Sequence, residues 1–252
     1  MINGIDISHW QTITSLAPAK ALGYEFAYIK ANDGVTKDDK LDRNFELVVE
    51  AEMIPGFYGY YKNNVNKSGE EQAEAHLKYT LPLAAQIDNK VLYPHVDVEH
   101  YYQKPGLQRE NSVEIWKWIR LVEQETGKCG MYSSQYMWKM MTTNPNYAFY
   151  YPGWIAQYTG LKLSLYPIGW DAAKVKFWQW AIIRKHNWAP PPFPGFTGEL
   201  DVNRFFGTLD ELKALAGYEV EPAPPPVEMP EVAHVSIELD GWNYSGDVRL
   251  EE

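Results

Sequence analysis

The sequence predicts an α/β fold: an irregular (β/α) barrel of about eight strands, with helices that dwindle in the last third and a short C-terminal β-hairpin tail. Three observations predict it. Short strand-like runs alternate with segments of helical spacing from the N-terminus onward. Those runs are apolar on both faces, as strands covered by helices must be. Beyond Gln157 the helical pattern gives way to loops rich in Pro and Trp.

Taken in order, Ile2–His9 reads as the first strand. Thr12–Leu22 reads as a helix closed by Gly23, and Glu25–Ala31 as the second strand. Asp42–Met53 carries Phe45, Val48, Val49 and Met53 at helical spacing. Ile54–Tyr61 is the third strand. Ser68–Leu81 opens on Ser68 with Glu71 three residues later, a capping box that starts a helix. Val91–Glu99 is the fourth strand. Ser112–Thr126 is amphipathic through Ile115, Trp118, Ile119 and Val122, and Gly127 is placed to end it. Cys129–Ser133 is the fifth strand, with a short helix at Gln135–Met141, and Tyr151–Gln157 is the sixth. Val175–Ala181 and Glu199–Asn203 complete the strands. Thr208–Ala216 is a last helix, with a second capping box in Thr208 and Glu211. This order favours a parallel, TIM-like barrel. An open doubly wound sheet is the alternative, but no glycine-rich phosphate loop supports it. There is no internal repeat.

The 252 residues are 45% hydrophobic, enough for a large core. Residues 1–218 form the barrel. Residues 219–230 (EVEPAPPPVEMP) are a Pro-rich acidic linker. In residues 231–252, His234–Leu239 alternates through Val235, Ile237 and Leu239. Asp240 and Gly241 give a turn signal, and Trp242, Tyr244, Val248 and Leu250 supply a return strand. A lone hairpin is barely stable in water, so it is expected to dock on the barrel, to pair with copies of itself, or to order on a partner.

The formal net charge is −10. Residues 219–252 hold nine acids against one Arg, so the body is nearly neutral and the tail acidic. No basic patch marks a nucleic-acid surface. The single cysteine, Cys129, excludes an intrachain disulfide and reads as a small core residue. The opening MINGID shows no basic or apolar leader, which predicts synthesis in the cytoplasm without a signal peptide. No apolar run is long enough to span a bilayer. Ten Trp and eighteen Tyr suit a ligand with flat apolar faces and many hydroxyls, such as a sugar.

The chemistry is expected where acids intrude on apolar strands. In LYPHVDVEH (92–100), period-two alternation puts His95, Asp97 and Glu99 on one face. Two carboxylates there pay desolvation and mutual repulsion, and each raises the other's pKa. That arrangement suits an acid kept protonated near neutral pH. Asp6 in GIDISHWQ (4–11) and Asp201 in ELDVN (199–203) intrude in the same way. In a barrel the first and last strands are neighbours, so Asp6 and Asp201 should lie close together, with Asp97 and Glu99 across the mouth. Such a cluster fits glycoside hydrolysis, with Glu99 protonating the leaving oxygen. His95, Asp97, Glu99 and His100 also contain metal-ligand types, although His100 should point away from the other three. A metal hydrolase and a glycan-binding barrel without catalysis are therefore the rivals.

The opening GIDISHWQ (4–11), DVE (97–99), FWQW (177–180) and LDVN (200–203) resemble, in order and spacing, glycoside hydrolase family 25, the Chalaropsis-type lysozymes. The resemblance spans Ile2 to Ala216. It implies an irregular (β/α) barrel and N-acetylmuramidase activity on bacterial peptidoglycan, cleaving the β-1,4 bond from N-acetylmuramic acid to N-acetylglucosamine without a cofactor or metal. By position it implies Glu99 as general acid and Asp97 as nucleophile or as the group that orients the substrate's 2-acetamido nitrogen. Retention of configuration is implied, and Asp6 and Asp201 are implied as supporting acids. Tyr61, Tyr132, Trp154, Gln179 and His9 are the expected substrate-binding side chains. Many phage lysins carry a substantial wall-binding module, and the short acidic tail departs from that plan. The missing signal sequence fits a phage or prophage endolysin, or a bacterial or virion-associated lysin, that reaches the cell wall after release through a membrane lesion made by another protein.

Overall fold

The computed structural model describes residues 1–101 and 103–220, together with the backbone of residues 232–239 and 242–249. It divides into two compact units, Met1–Glu219 and Val220–Glu252. In the second, Val232–Leu239 and Trp242–Arg249 pair antiparallel. Of the expected linker over 219–230, residues 221–230 lie outside the described residues, as do the Asp240–Gly241 turn and Leu250.

Eight strands close the barrel of the first unit: β1 (Ile2–Ile7), β2 (Tyr24–Asp33), β3 (Ile54–Tyr60), β4 (Leu92–Asp97), β5 (Gly130–Ser133), β6 (Gly153–Ala156), β7 (Val175–Ile183) and β8 (Leu200–Phe205). β1 through β7 are parallel to their sequence neighbours. β8 runs antiparallel to both β7 and β1, which corrects the expected all-parallel barrel. The cause lies in the β7–β8 connection. It carries Pro190, Pro191, Pro192 and Pro194, which cannot build a crossover helix. Without a crossover, the chain must return antiparallel from the rim where β7 ended.

Six helices accompany the strands: α1 (Ala17–Ala21), α2 (Leu41–Glu50), α3 (Gly69–Ala85), α4 (Gln108–Thr126), α5 (Gln135–Met141) and α6 (Leu209–Leu215). Both capping boxes form, at Ser68–Glu71 and at Thr208–Glu211. Gly127 ends α4 in the left-handed region, at φ 76°. The helix expected over Thr12–Leu22 shrinks to five residues. Thr12–Ile13 pairs instead with Phe196–Thr197 of the β7–β8 connection, and Pro18 fits the first turn of α1. No described helix is long and apolar enough to cross a membrane.

The barrel interior is filled by rings. Phe26, Tyr28, His95, Trp154, Phe177 and Phe205 pack there, with Tyr28 stacked on Trp154 at 4.8 Å. Room for them requires gaps on neighbouring strands. A Cβ on Gly4 would stand 2.4 Å from the Phe26 ring, so the first glycine of GIDISHWQ serves packing. The outward faces of the strands meet the helices through Ile5, Ile7, Ala27, Ile29, Trp178 and Trp180 on one side. On the other, Val96, Val98, Cys129 and Met131 pack against Trp118 and Ile119 of α4. Cys129 is buried, and burial pushes its thiol well up.

Candidate active site

Above the ring-filled interior, the rim holding the ends of the parallel strands opens into a cleft of about 690 Å³. Asp6, Asp97, Glu99 and Asp201 all line it. The reversal of β8 is what brings Asp201 there. It is the second residue of a strand that starts at this rim, and it pairs in register with Asp6. Asp97 ends β4, opposite Tyr60 of β3 and Tyr132 of β5. Glu99 lies two residues beyond the strand, which stops at Asp97. Its side chain is half-buried and opens to the cleft.

Asp6 is held by a chain of fixed donors. The Tyr132 and Tyr158 hydroxyls both donate to Gln179 Oε1 at 2.7 Å, which turns the Gln179 amide so that Nε2 donates to Asp6 Oδ2 at 2.8 Å. Trp154 Nε1 donates to Asn203 Oδ1 at 2.8 Å, and Asn203 Nδ2 donates to the same Asp6 oxygen at 2.8 Å. Burial raises the Asp6 carboxyl to about 6 against the pull of these two bonds. Asp201, near the Tyr158 hydroxyl at 3.5 Å, is pushed well up by burial and by the charges of Asp6 and Glu99.

Asp97 has a different environment. Its Oδ1 is buried and accepts no hydrogen bond from a described residue. Burial, then the charge of Glu99, pushes its carboxyl well up, and Lys30 opposes them. Glu99 is raised to about 7, first by burial and then by Asp6, with Lys30 again opposing. Four carboxyls packed this closely cannot all ionise together, so the cluster keeps protons near neutral pH.

Of the expected binding residues, Tyr132, Trp154, Gln179 and His9 line the cleft. Tyr132 and Trp154 are nearly fully buried and reach the acids through Gln179 and Asn203. His9 stands at the rim with Nδ1 2.7 Å from Asp38 Oδ2. Tyr61 is a correction. It packs outside the barrel with Leu77, Val96 and Ile115, its hydroxyl directed to Asn111. Alternation along β3 sends Tyr58 and Tyr60 inward instead. His95 shares the inward face with Asp97, as the alternation predicts, but lies lower, among Tyr28, Tyr93, Trp154 and Phe177, where burial depresses it to about 3 and keeps it neutral. Among the described residues no three His, Cys, Asp or Glu side chains group as a metal would need.

Several residues of this cleft were missed from sequence. Lys30 sits almost buried on β2, its Nζ 4.8 Å from the centre of the Tyr60 ring. A lysine inside the apolar run Glu25–Ala31 is as anomalous as the acids, and the same argument would have found it. Tyr58, Tyr60 and Tyr158 carry no such signal, because aromatic residues are ordinary in strands and rims.

The family model for glycosyl hydrolases family 25 matches residues 5–185. The chain is 29% identical over 222 residues to Lysozyme M1 of Streptomyces globisporus, covering 85% of this chain and 71% of that protein. Its fold is similar to that of the lysozyme of Streptomyces coelicolor, with a TM-score of 0.69 at 28% identity over 85% of this chain and 96% of the other. The muramidase of Acremonium alcalophilum gives 0.68 at 28% identity, over 86% and 99% of the two chains. The matched residues run from Ile5 in β1 to Lys185 just past β7, and the chain belongs to glycosyl hydrolases family 25.

Proposed function

We propose that this chain is a peptidoglycan hydrolase of the muramidase type, cleaving the β-1,4 bond between N-acetylmuramic acid and N-acetylglucosamine. One observation carries the assignment of roles. Glu99, raised to about 7 and open to the cleft, stands two residues past Asp97, whose buried Oδ1 has no donor among the described residues. A carboxyl near 7 is half protonated at neutral pH and gives its proton to a leaving oxygen. An acceptor without a protein donor is free to take the N–H of a substrate acetamido group, or to attack the anomeric carbon. In the first route the acetamido carbonyl oxygen, and in the second Asp97 itself, bonds to the anomeric carbon on the face opposite the departing oxygen, which leaves with the Glu99 proton. Water then gives its proton to Glu99, displaces that new bond and completes hydrolysis with retention. Asp6 acts through charge. Ionised, it disfavours ionisation of Glu99. Asp201 supports the cluster from the neighbouring strand.

The site of action in this proposal is the bacterial cell wall, reached from the cytoplasm after release. The hairpin unit mediates self-association or docking. Size-exclusion chromatography of the chain ended at residue 219 tests that part, since an unchanged mass together with unchanged stability would exclude both roles.

The decisive experiment incubates the protein with peptidoglycan, with and without EDTA, beside Glu99→Gln. Mass spectrometry then identifies the new reducing ends. Muramic acid ends that persist in EDTA and vanish in the variant are expected. Glucosamine ends, or loss of cleavage in EDTA, would overturn the reading.

A further inference from the structure

We propose that Trp10 is a stacking platform for a sugar ring bound at the mouth of the cleft, outside the four-acid centre. The inference rests on the muramidase reading and adds a glycan subsite to it. Trp10 lines the same cleft as the acids, yet it is 76% exposed. An indole left this far in water forgoes much of the burial that usually stabilises it. A single exposed ring on a loose loop would need no explanation. This loop is fixed at several points.

Ser8 N donates to Gln11 Oε1 at 2.9 Å, and Trp10 N donates to Ser8 Oγ at 3.3 Å. Lys40 Nζ donates to the Gln11 carbonyl at 2.8 Å, and Gln11 Nε2 donates to the Glu199 carbonyl at 3.3 Å. The loop is thereby tied to the start of α2 and to the residue before β8. His9 adds the support most specific to Trp10. Its backbone N–H and its Nδ1 both meet Asp38 Oδ2, at 3.2 and 2.7 Å, and the Asp38 side chain is fully buried. Held in this way, the His9 ring lies 4.6 Å from the Trp10 ring, centre to centre.

The result is a rigid aromatic plate, backed by an anchored imidazole and open towards the cleft. Rigid aromatic rings bind with little loss of side-chain entropy. The apolar C–H face of a pyranose is the complementary shape, with its hydroxyls left to water. The occupant is a sugar of the same chain that is cut at Glu99, because one cleft contains both.

The test compares wild type, Trp10→Ala and Trp10→Phe on peptidoglycan and on defined N-acetylglucosamine–N-acetylmuramic acid oligomers of four to eight sugars. Trp10→Ala is expected to raise KM about tenfold on the longest oligomer, with kcat little changed and a smaller rise on shorter chains. Trp10→Phe should recover most of the loss. An unchanged KM at every length would overturn the inference while leaving the muramidase reading intact. So would an equal fall in kcat at every length, which marks a structural role. A wild type that releases no muramic acid ends would overturn both.

Discussion

Asp6 and Asp201 face each other as register partners in the antiparallel pairing of β1 with β8. Their proximity follows from the reversal of one strand. Asp201 stands near the beginning of its strand and Asp6 near the end of its own, so only an antiparallel pair places both at one rim. The Pro-rich connection that replaces a crossover helix is therefore part of the site. It turns a barrel that would have scattered these acids into one that gathers them.

In the proposed mechanism, that gathering makes Asp6 a regulator of Glu99. Of the charges that raise Glu99, Asp6 is the largest contributor. Asp6→Asn removes the charge, so the Glu99 pKa falls and Glu99 ionises at lower pH. The alkaline limb of kcat/KM is expected to move down by about one unit, with activity lost first above neutrality. A pH–rate profile measures it, and an unmoved alkaline limb would exclude electrostatic control by Asp6.

Glu99 itself sets activity against stability. Glu99→Gln should bind glycan and lose roughly 10²–10⁴-fold in turnover. Its folded-state pKa of about 7 lies above the ordinary glutamate value of 4.5. Between those values the native state holds a proton that the unfolded chain has released, so wild-type stability falls as pH rises through this window. A glutamine never ionises and escapes that fall. The variant should match wild type at pH 4 and unfold about 2–4 °C higher at pH 8. Thermal scans at the two pH values would refute the raised pKa if the difference were absent or reversed.

The acids were legible because a carboxylate in an apolar strand has few structural reasons to be there. Asp6 and Asp97 needed only the alternation of the strand and a closed sheet to be placed at one rim, whereas Asp201 reaches that rim through the reversal of β8. The direction of β8 was hidden, since an apolar run has the same pattern read either way, and strand polarity depends on the connection. Trp178 and Trp180 flank Gln179 symmetrically in sequence, and only closure of the barrel sends the tryptophans to the shell and the amide inward. Tyr61 went astray through the strand boundary. β3 ends at Tyr60, so the last inward residue is one position earlier than an end at Tyr61 implied.

This difference of one residue has a kinetic consequence. The Tyr61 hydroxyl lies outside the barrel, 3.4 Å from Asn111 Oδ1. Tyr61→Phe should keep kcat and KM within about twofold and lower stability by no more than about 1 kcal/mol. The Tyr60 ring lies beside Lys30, and its hydroxyl donates to the Tyr101 carbonyl at 2.8 Å, tying down a cleft-lining loop. Tyr60→Ala should cost roughly tenfold or more in kcat/KM. Steady-state kinetics of the pair would reject this register if Tyr61→Phe proved the more damaging change.

In the proposed mechanism, Lys30 is the counter-charge on which the division of labour between Asp97 and Glu99 rests. Its charge lowers both carboxyls against the burial that raises them. Lys30→Met removes the charge but keeps a side chain of similar length, so both pKa values climb. Asp97 then ionises only at higher pH, and activity on the acidic side falls. Glu99 holds its proton to higher pH, and the alkaline limb extends upward. The whole kcat/KM profile is therefore expected to move to higher pH, with a loss of about tenfold or more at pH 5. Lys30→Arg keeps the charge and should hold the profile near its original position, which separates electrostatics from packing. If Met and Arg at this position lowered activity equally at every pH, Lys30 would be a filler of the barrel wall and the ionisation of Asp97 would need another source.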